Sequence, residues 1–94
     1  MSVRILIKRK SSIDKTPELL NLLRQLRFGT MKQSGYISGE TLHRIDVPDE
    51  KLVISTWKSL DAWKKWFTSV ERSEIQSQID VLIGEPTLYE IYQY

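Results

Sequence analysis

The sequence of 94 residues predicts a single α+β domain, spanning residues 1–94, in which two helices cover one face of a four-stranded antiparallel sheet. Two observations support this fold class. Four segments rich in branched and aromatic residues alternate with two segments whose apolar residues recur at helical spacing. A short polar turn joins the second and third strand segments. One helical segment joins the first strand to the second, and the other joins the third strand to the fourth. This order is that of the ferredoxin-like βαββαβ fold.

The first strand is predicted from Val3 to Arg9, where branched residues are enriched. Three consecutive basic residues, Lys8, Arg9 and Lys10, end this strand. Such a run could bind phosphate, but no aromatic residue is interleaved with it, as is usual in nucleic-acid sites. The favoured interpretation is therefore a solvated strand end.

The first helix has clear signals at both of its ends. Thr16 is a good N-cap and Pro17 suits the first helical position. The helix is predicted to continue to about Lys32, and Gly35 suits a left-handed stop. The amphipathic stripe consists of Leu19, Leu22, Leu23 and Leu26.

Two strands and a tight turn follow this helix. The second strand is predicted from Tyr36 to Val47, and Gly39 indicates a bulge or a close contact within it. Pro48–Glu50 is a polar turn. The third strand, Leu52–Trp57, has adjacent apolar residues in its middle, which indicates burial on both faces.

The second helical segment is the aromatic one, and it begins at a Ser59 cap. Its first stripe consists of Trp63, Trp66, Phe67 and Val70. Thr68–Ser69 weakens the helix, and Ser73–Gln76 resembles a capping box that restarts it. Gly84–Pro86 ends the segment, and Thr87–Tyr92 is predicted to form the last strand.

Composition excludes several classes of function. With 14 basic and 12 acidic residues, the chain has a net charge of only +2, which predicts no nucleic-acid partner. No apolar run approaches the ~18 residues of a membrane span, and the N-terminus does not have the charge order of a signal peptide. The chain has no cysteine, which fits the reducing cytoplasm.

The exposed face of the predicted sheet indicates a partner subunit. Ile5, Leu6 and Ile7 are consecutive, so at least one of them points away from the helices. Val53 and Ile54 repeat this arrangement on the third strand. A second sheet from an identical chain would cover such a face, which predicts a face-to-face homodimer.

Two segments resemble the antibiotic biosynthesis monooxygenase (ABM) family. Gly35–Leu42 is similar to the opening of that family's second strand, and Trp57–Trp66 is similar to its junction of third strand and second helix. The resemblance implies a dimeric α/β barrel of two ferredoxin-like sheets, with a pocket between helices and sheet in each subunit. It also implies relatives that oxidise phenol- or quinol-type substrates without metal or flavin, and others that degrade haem.

The resemblance directs attention to Trp66, because some oxygenases of the family carry Trp at the matching position. In this hypothesis the Trp66 indole N–H and the only histidine, His43, are catalytic; His43 would accept a phenolic proton. The sequence leaves open which sheet face carries His43. The substrate, a small aromatic molecule, would be held by Tyr36, Trp57, Trp63 and Phe67. The competing interpretation is that these aromatic residues are plain core.

Two alternatives to the oxygenase remain open. The first is a non-catalytic dimeric module that binds a small ligand or supports an assembly. The second, haem binding, is disfavoured, because the position matching the family's iron-ligating His is Gln76 and no Asn occurs between Ser2 and Arg9. One His and no Cys cannot build a zinc site, and no serine has an evident catalytic base.

Overall fold

The computed structural model describes residues 1–11 and 16–94. Within these two ranges the elements follow, in chain order, as β1 (Val3–Lys10), α1 (Pro17–Met31), β2 (Tyr36–His43), β3 (Glu50–Trp57), α2 (Leu60–Phe67), α3 (Val70–Ile83) and β4 (Leu88–Gln93).

The four strands form one sheet in the order β2-β3-β1-β4, and every neighbouring pair is antiparallel. Val3 lies opposite both Trp57 of β3 and Gln93 of β4, so these three side chains share a face. The helices pack on that face, where Val3, Ile5 and Trp57 are buried. The predicted ferredoxin-like α+β fold is therefore confirmed.

The ends of α1 follow the sequence signals. Thr16 has extended backbone angles and Pro17 is the first helical residue, although the Thr16 side chain makes no capping hydrogen bond. The helix ends at Met31, and the left-handed residue is Gly35, with φ +94°. A methyl group at Gly35 would also lie 2.6 Å from the Cβ atom of Ala62. Glycine at this position therefore allows both the turn into β2 and the close approach of α2.

The second helical segment is divided into two helices, and the restart predicted at Ser73 is wrong. Ser69 caps α3, because its hydroxyl accepts a hydrogen bond from the Arg72 N–H at 3.2 Å. The break arises because the Ser69 hydroxyl also donates to the Trp66 carbonyl oxygen at 2.7 Å, and Thr68 donates to that of Lys64 at 2.8 Å. Such side-chain bonds compete with the helical backbone pattern.

The second strand ends at His43, four residues earlier than predicted. The guanidinium of Arg44 binds Asp46 at 2.7 Å and Glu50 at 2.5 Å, and its backbone N–H donates to the Glu50 carbonyl oxygen at 3.0 Å. These bonds close a turn over residues 44–50. The irregular strand pairing lies between Tyr36 and Ser38, so the bulge precedes Gly39.

The face of the sheet opposite the helices, here called the open face, carries apolar and charged side chains. The strand register places Leu6 of β1 opposite Ile54 of β3, and Leu42 of β2 opposite Leu52 of β3. Lys8 forms an ion pair with Glu90 across the same face at 3.1 Å. No described element covers this face.

No helix in the described ranges is long and apolar enough to cross a membrane.

Candidate functional site

A cavity of about 370 Å³ lies between α1 and the sheet. Apolar residues of α1, including Leu19, Leu23 and Leu26, form its roof. Ile7 of β1 and Val53 of β3, which lie opposite each other in the sheet, form its floor. Sites for small molecules have volumes of about 300–1,000 Å³ and mostly apolar walls. The cavity therefore has the size and lining of a site for a compact apolar ligand.

A few polar side chains enter this cavity. Ser55, Thr41 and Tyr36 come from the helix-facing side of β3 and β2, and Thr30 comes from α1. A methyl group at Gly39 would lie 2.7 Å from the Tyr36 hydroxyl oxygen. The glycine therefore leaves the space that the Tyr36 phenol occupies, and the close contact predicted at Gly39 is confirmed.

The charged residues that line the cavity are mainly basic. They are Arg9, Arg24, Arg27 and Lys51, against Glu40 and Asp49. Arg24 and Arg27 are exposed residues of α1, so they lie at the solvent side of the cavity. Burial lowers the pKa of the Lys51 ammonium. An apolar space with a basic lining favours ligands that carry negative charge.

A second void, of about 40 Å³, adjoins this cavity. Its walls include all three tryptophans, Trp57, Trp63 and Trp66. The two spaces share the side chains Ile7, Arg9, Leu26, Thr30 and Ser55. The void is therefore a neighbour of the cavity, and it has room for a group about the size of a water molecule.

Trp66 is almost completely buried, with 4% of its surface exposed. Its ring packs against the backbone of α1, because a methyl group at Gly29 would lie 2.6 Å from Trp66 Cη2. Within the described ranges the Trp66 indole N–H has no hydrogen-bond partner, whereas Trp57 donates its N–H to Ser55 Oγ at 2.7 Å. The Trp66 N–H is thus available to another acceptor beside the void.

A buried polar cluster joins α3 to β4 on the other side of the void. Arg72 donates to the Phe67 carbonyl oxygen at 3.1 Å and to the Tyr89 hydroxyl. The Tyr89 hydroxyl donates to Gln76 Oε1 at 3.3 Å, and the Gln76 amide donates to Asp80 at 2.8 Å. The central carbon of the Arg72 guanidinium lies 4.2 Å from the centre of the Phe67 ring. These contacts hold Arg72 in one position.

Arg9 links this cluster to the cavity. Its terminal nitrogen donates to Gln76 Oε1 at 3.3 Å. Its Nε is completely shielded from solvent and has no hydrogen-bond partner among the described residues. In the same ranges no carboxylate forms an ion pair with it. Burial lowers the pKa of the Arg9 guanidinium, yet arginine remains protonated at neutral pH. A buried positive charge therefore lies where the cavity meets the void.

The predicted site residues occupy different places around these two spaces. Tyr36 lines the cavity, and the three tryptophans line the void. Phe67 lies behind Trp63, with ring centroids 4.7 Å apart, and lines neither space. His43 lies opposite Lys51 on the helix-facing side at the exposed end of β2. It is not among the residues that line the cavity or the void.

Sequence reasoning missed the buried basic residues. The interpretation of Arg9 as part of a solvated strand end is wrong, because its Nε is buried. Its signal was the period of two, which places Arg9 on the same face as Val3, Ile5 and Ile7. Arg72 and Gln76 of α3 are also buried. They lie one helical turn apart, and so they line one side of that helix.

By the family resemblance, Gln76 occupies the position of the iron-ligating His of haem-degrading members. Its side chain is already hydrogen-bonded within the protein. Besides its bond to Asp80, the Gln76 amide donates to Thr87 Oγ1 at 3.1 Å. Among residues 1–11 and 16–94, no three His, Cys, Asp or Glu side chains are grouped so that they could hold a metal ion. The local geometry thus gives haem no evident protein ligand at this position.

Comparison with protein families matches residues 2–78 to the family model described as antibiotic biosynthesis monooxygenase. Among solved structures, a conserved protein from Methanosarcina mazei Go1 is 22% identical with a TM-score of 0.86, and the alignment covers 99% of this chain and 92% of that one. SnoaB, described as a cofactor-independent oxygenase from Streptomyces nogalater, is 13% identical with a TM-score of 0.82 and coverage of 99% and 92%. Rv0793 from Mycobacterium tuberculosis is 17% identical with a TM-score of 0.82 and coverage of 100% and 95%.

Comparison with curated protein sequences returns no match. These three structures are all less than one-quarter identical in sequence to this chain, so their similarity supports the fold. The family model matches most of the chain. The chain belongs to the antibiotic biosynthesis monooxygenase family.

Proposed function

We propose that the protein is a cytoplasmic, cofactor-independent monooxygenase that oxidises a small aromatic substrate, of phenol or quinol type, in the cavity beneath α1. The observation that carries this proposal is the cavity itself, which has about 370 Å³ of mainly apolar space in a chain of the ABM family. The fold shared with SnoaB, described as a cofactor-independent oxygenase, adds support.

The proposed reaction places modest demands on the protein. An electron-rich phenolate or enolate transfers electrons directly to O₂; one oxygen atom enters the substrate as a carbonyl, and the other leaves as water. The substrate supplies all four electrons, so no external reductant is required. The protein contributes a site that excludes water, donors for the oxygen atoms, and an acceptor for the substrate proton.

The residues around the two spaces can be given roles in this scheme. Trp66 donates its unpaired indole N–H to a substrate or peroxide oxygen, and Trp57 and Trp63 form the wall behind it. Tyr36 orients the substrate from the sheet side. His43 accepts a proton from a substrate whose polar end extends to the outer end of β2. Phe67 supports the position of Trp63 through their ring contact.

A second candidate function is a non-catalytic module that binds a small ligand. The packing of Trp66 favours it, because the void that adjoins the indole has a volume of about 40 Å³. The exposed position of His43 favours it as well. In this alternative the cavity beneath α1 binds the ligand, and no chemistry follows.

We further propose that the protein forms a homodimer through its open face. Leu6, Leu42, Leu52, Ile54 and Leu88 lie on that face by strand register. Two antiparallel sheets pack well face to face at about 10 Å, and such contact would remove these side chains from water. The cavity lies on the other side of the sheet, so each subunit would keep its own site.

Oxygen uptake tests the proposed activity. Purified protein without added metal or flavin is mixed with a panel of quinols and anthrones, and dissolved O₂ and products are followed. We expect turnover that falls at least tenfold in Trp66→Phe and His43→Gln and is retained in the exposed control Val81→Ala. Turnover unaffected by both site variants would remove their proposed roles. Binding of the same compounds without O₂ uptake would favour the non-catalytic module.

A further inference from the structure

The void beside the cavity is lined by two arginines and by no carboxylate of the described ranges. Arg9 and Arg72 both line the void, and neither forms an ion pair with a carboxylate of the described ranges. Burial of a charge is costly unless a partner compensates it. Arg72 has partners of its own, which are the Phe67 carbonyl oxygen, the Tyr89 hydroxyl and the Phe67 ring. Among the described residues, the Arg9 guanidinium makes one hydrogen bond, a long one to Gln76 Oε1.

The position of Arg9 connects its unused donors to the ligand space. Arg9 lines both the cavity and the void, and its buried Nε has no acceptor among the described residues. A guanidinium presents donors in a planar fork that fits an oxyanion with two bonds. The apolar walls formed by Ile7, Leu26 and Val53 lie beside it, so they would contact the uncharged body of the same ligand.

We infer that the cavity beneath α1 binds small aromatic anions, and that the Arg9 guanidinium holds their carboxylate or phenolate oxygen. The exposed Arg24 and Arg27 at the solvent side of the cavity attract such anions from solution. This inference deepens the proposed function, because a substrate held as its anion is the species that reduces O₂. It also applies to a binding module, since it requires no turnover.

A pair of matched probes tests this inference without catalysis. 2-Naphthoate and 2-naphthamide have nearly the same shape, but only the first carries a charge at neutral pH. We expect the wild-type protein to bind naphthoate at least tenfold more tightly than naphthamide, as measured by calorimetry under nitrogen. Equal affinities for the two probes would overturn the inference, whatever the result of the oxygen-uptake assay.

Two arginine variants of β1 then locate the charge. Arg9→Met removes the buried guanidinium, and Arg4→Met removes an exposed guanidinium from the other face of the same strand. We expect Arg9→Met to weaken naphthoate binding at least tenfold, to leave naphthamide binding unchanged, and to keep or raise the melting temperature. Arg4→Met should change neither affinity. A large fall in the melting temperature of Arg9→Met would show that the charge is compensated within the fold, and would overturn the role of Arg9. Unchanged naphthoate binding in Arg9→Met would also overturn the role of Arg9.

Oxygenase failure and failure of this inference are distinguishable. Naphthoate selectivity without O₂ uptake from any quinol would contradict the proposed activity alone. Turnover of quinols without any preference for charged probes would contradict the anion site alone.

Discussion

The contact between Gly29 and Trp66 sets the distance between α1 and the aromatic layer beneath it. Gly29 lies inside α1, where glycine costs about 1 kcal/mol relative to alanine. On helix propensity alone, Gly29→Ala should therefore stabilise the protein. The structure predicts the opposite, because the new methyl group would lie 2.6 Å from Trp66 Cη2 and 2.4 Å from Glu71 Oε2.

The two clashes differ in how easily they relax. The Glu71 carboxylate ends a flexible, exposed side chain and can move away. The Trp66 ring is rigid and only 4% exposed, so α1 must shift or the core must deform. Overpacking of this kind costs about 1–3 kcal/mol. Because the Trp66 ring is rigid and buried, we expect the upper part of this range, about 2–3 kcal/mol. After the gain of about 1 kcal/mol in helix propensity, Gly29→Ala should lower the free energy of unfolding by about 1–2 kcal/mol, and the melting temperature by about 5–15 °C.

Urea unfolding monitored by tryptophan fluorescence measures this change. Asn21→Ala, an exposed substitution on the same helix, is the control for propensity and should raise stability by a few tenths of a kcal/mol. In a Trp66→Phe background, which removes the contacting ring atom, Gly29→Ala should cost about 1 kcal/mol less than in the wild type. If Gly29→Ala instead stabilises the protein as Asn21→Ala does, the Trp66 ring does not oppose the added methyl group.

Three further predictions address the dimer, the core and the turn. Leu6→Glu on the open face should convert the proposed dimer to a monomer in sedimentation, whereas Val81→Glu on the exposed face of α3 should not; a wild-type monomer at micromolar concentration would contradict the dimer. Trp57→Phe should lower stability by about 2–3 kcal/mol, because it creates a cavity and leaves a buried serine hydroxyl unpaired; a loss below about 1 kcal/mol would contradict this account. The Arg44 hydrogen bonds hold the pKa of Asp46 below its ordinary value, so their stabilisation is present at neutral pH and disappears as the pH falls through that lowered pKa. The melting temperature of Arg44→Gln should therefore fall less on acidification than that of the wild type. Identical falls would contradict the proposed effect of the Arg44–Asp46 bonds on stability.

Local patterns were sufficient to predict most of the fold. The leucine stripe of α1, Pro17 at its start and the order of elements depend only on neighbours along the chain. The helix restart predicted at Ser73 lies four residues after the observed cap, Ser69, because several serines in this segment are possible caps. Ser69 is the cap because its hydroxyl donates a hydrogen bond to the Trp66 carbonyl oxygen and accepts one from the Arg72 N–H. The end of β2 depends on Arg44 meeting Glu50, six positions along the chain, which periodicity does not encode.

The candidate site was less predictable than the fold. The family resemblance correctly indicated a pocket between helices and sheet, but it directed attention to Trp66 and away from Arg9. The sequence of β1 predicts only the sheet face on which Arg9 lies. The burial of Arg9 depends on residues of other elements that pack on that face, such as Gln76 of α3. The packing of Trp66 depends likewise on a glycine 37 positions away, in another helix. Contacts of this kind require the assembled layers.

Methyl NMR spectroscopy can show whether the cavity beneath α1 is the ligand site. With isoleucine, leucine and valine methyl groups labelled, 2-naphthoate is titrated into the protein to saturation. We predict that the methyl signals of Ile7, Leu23 and Val53 shift, while those of Leu6 and Leu52 on the open face remain in place. Shifts confined to the open face, or no shifts at all, would contradict ligand binding in this cavity.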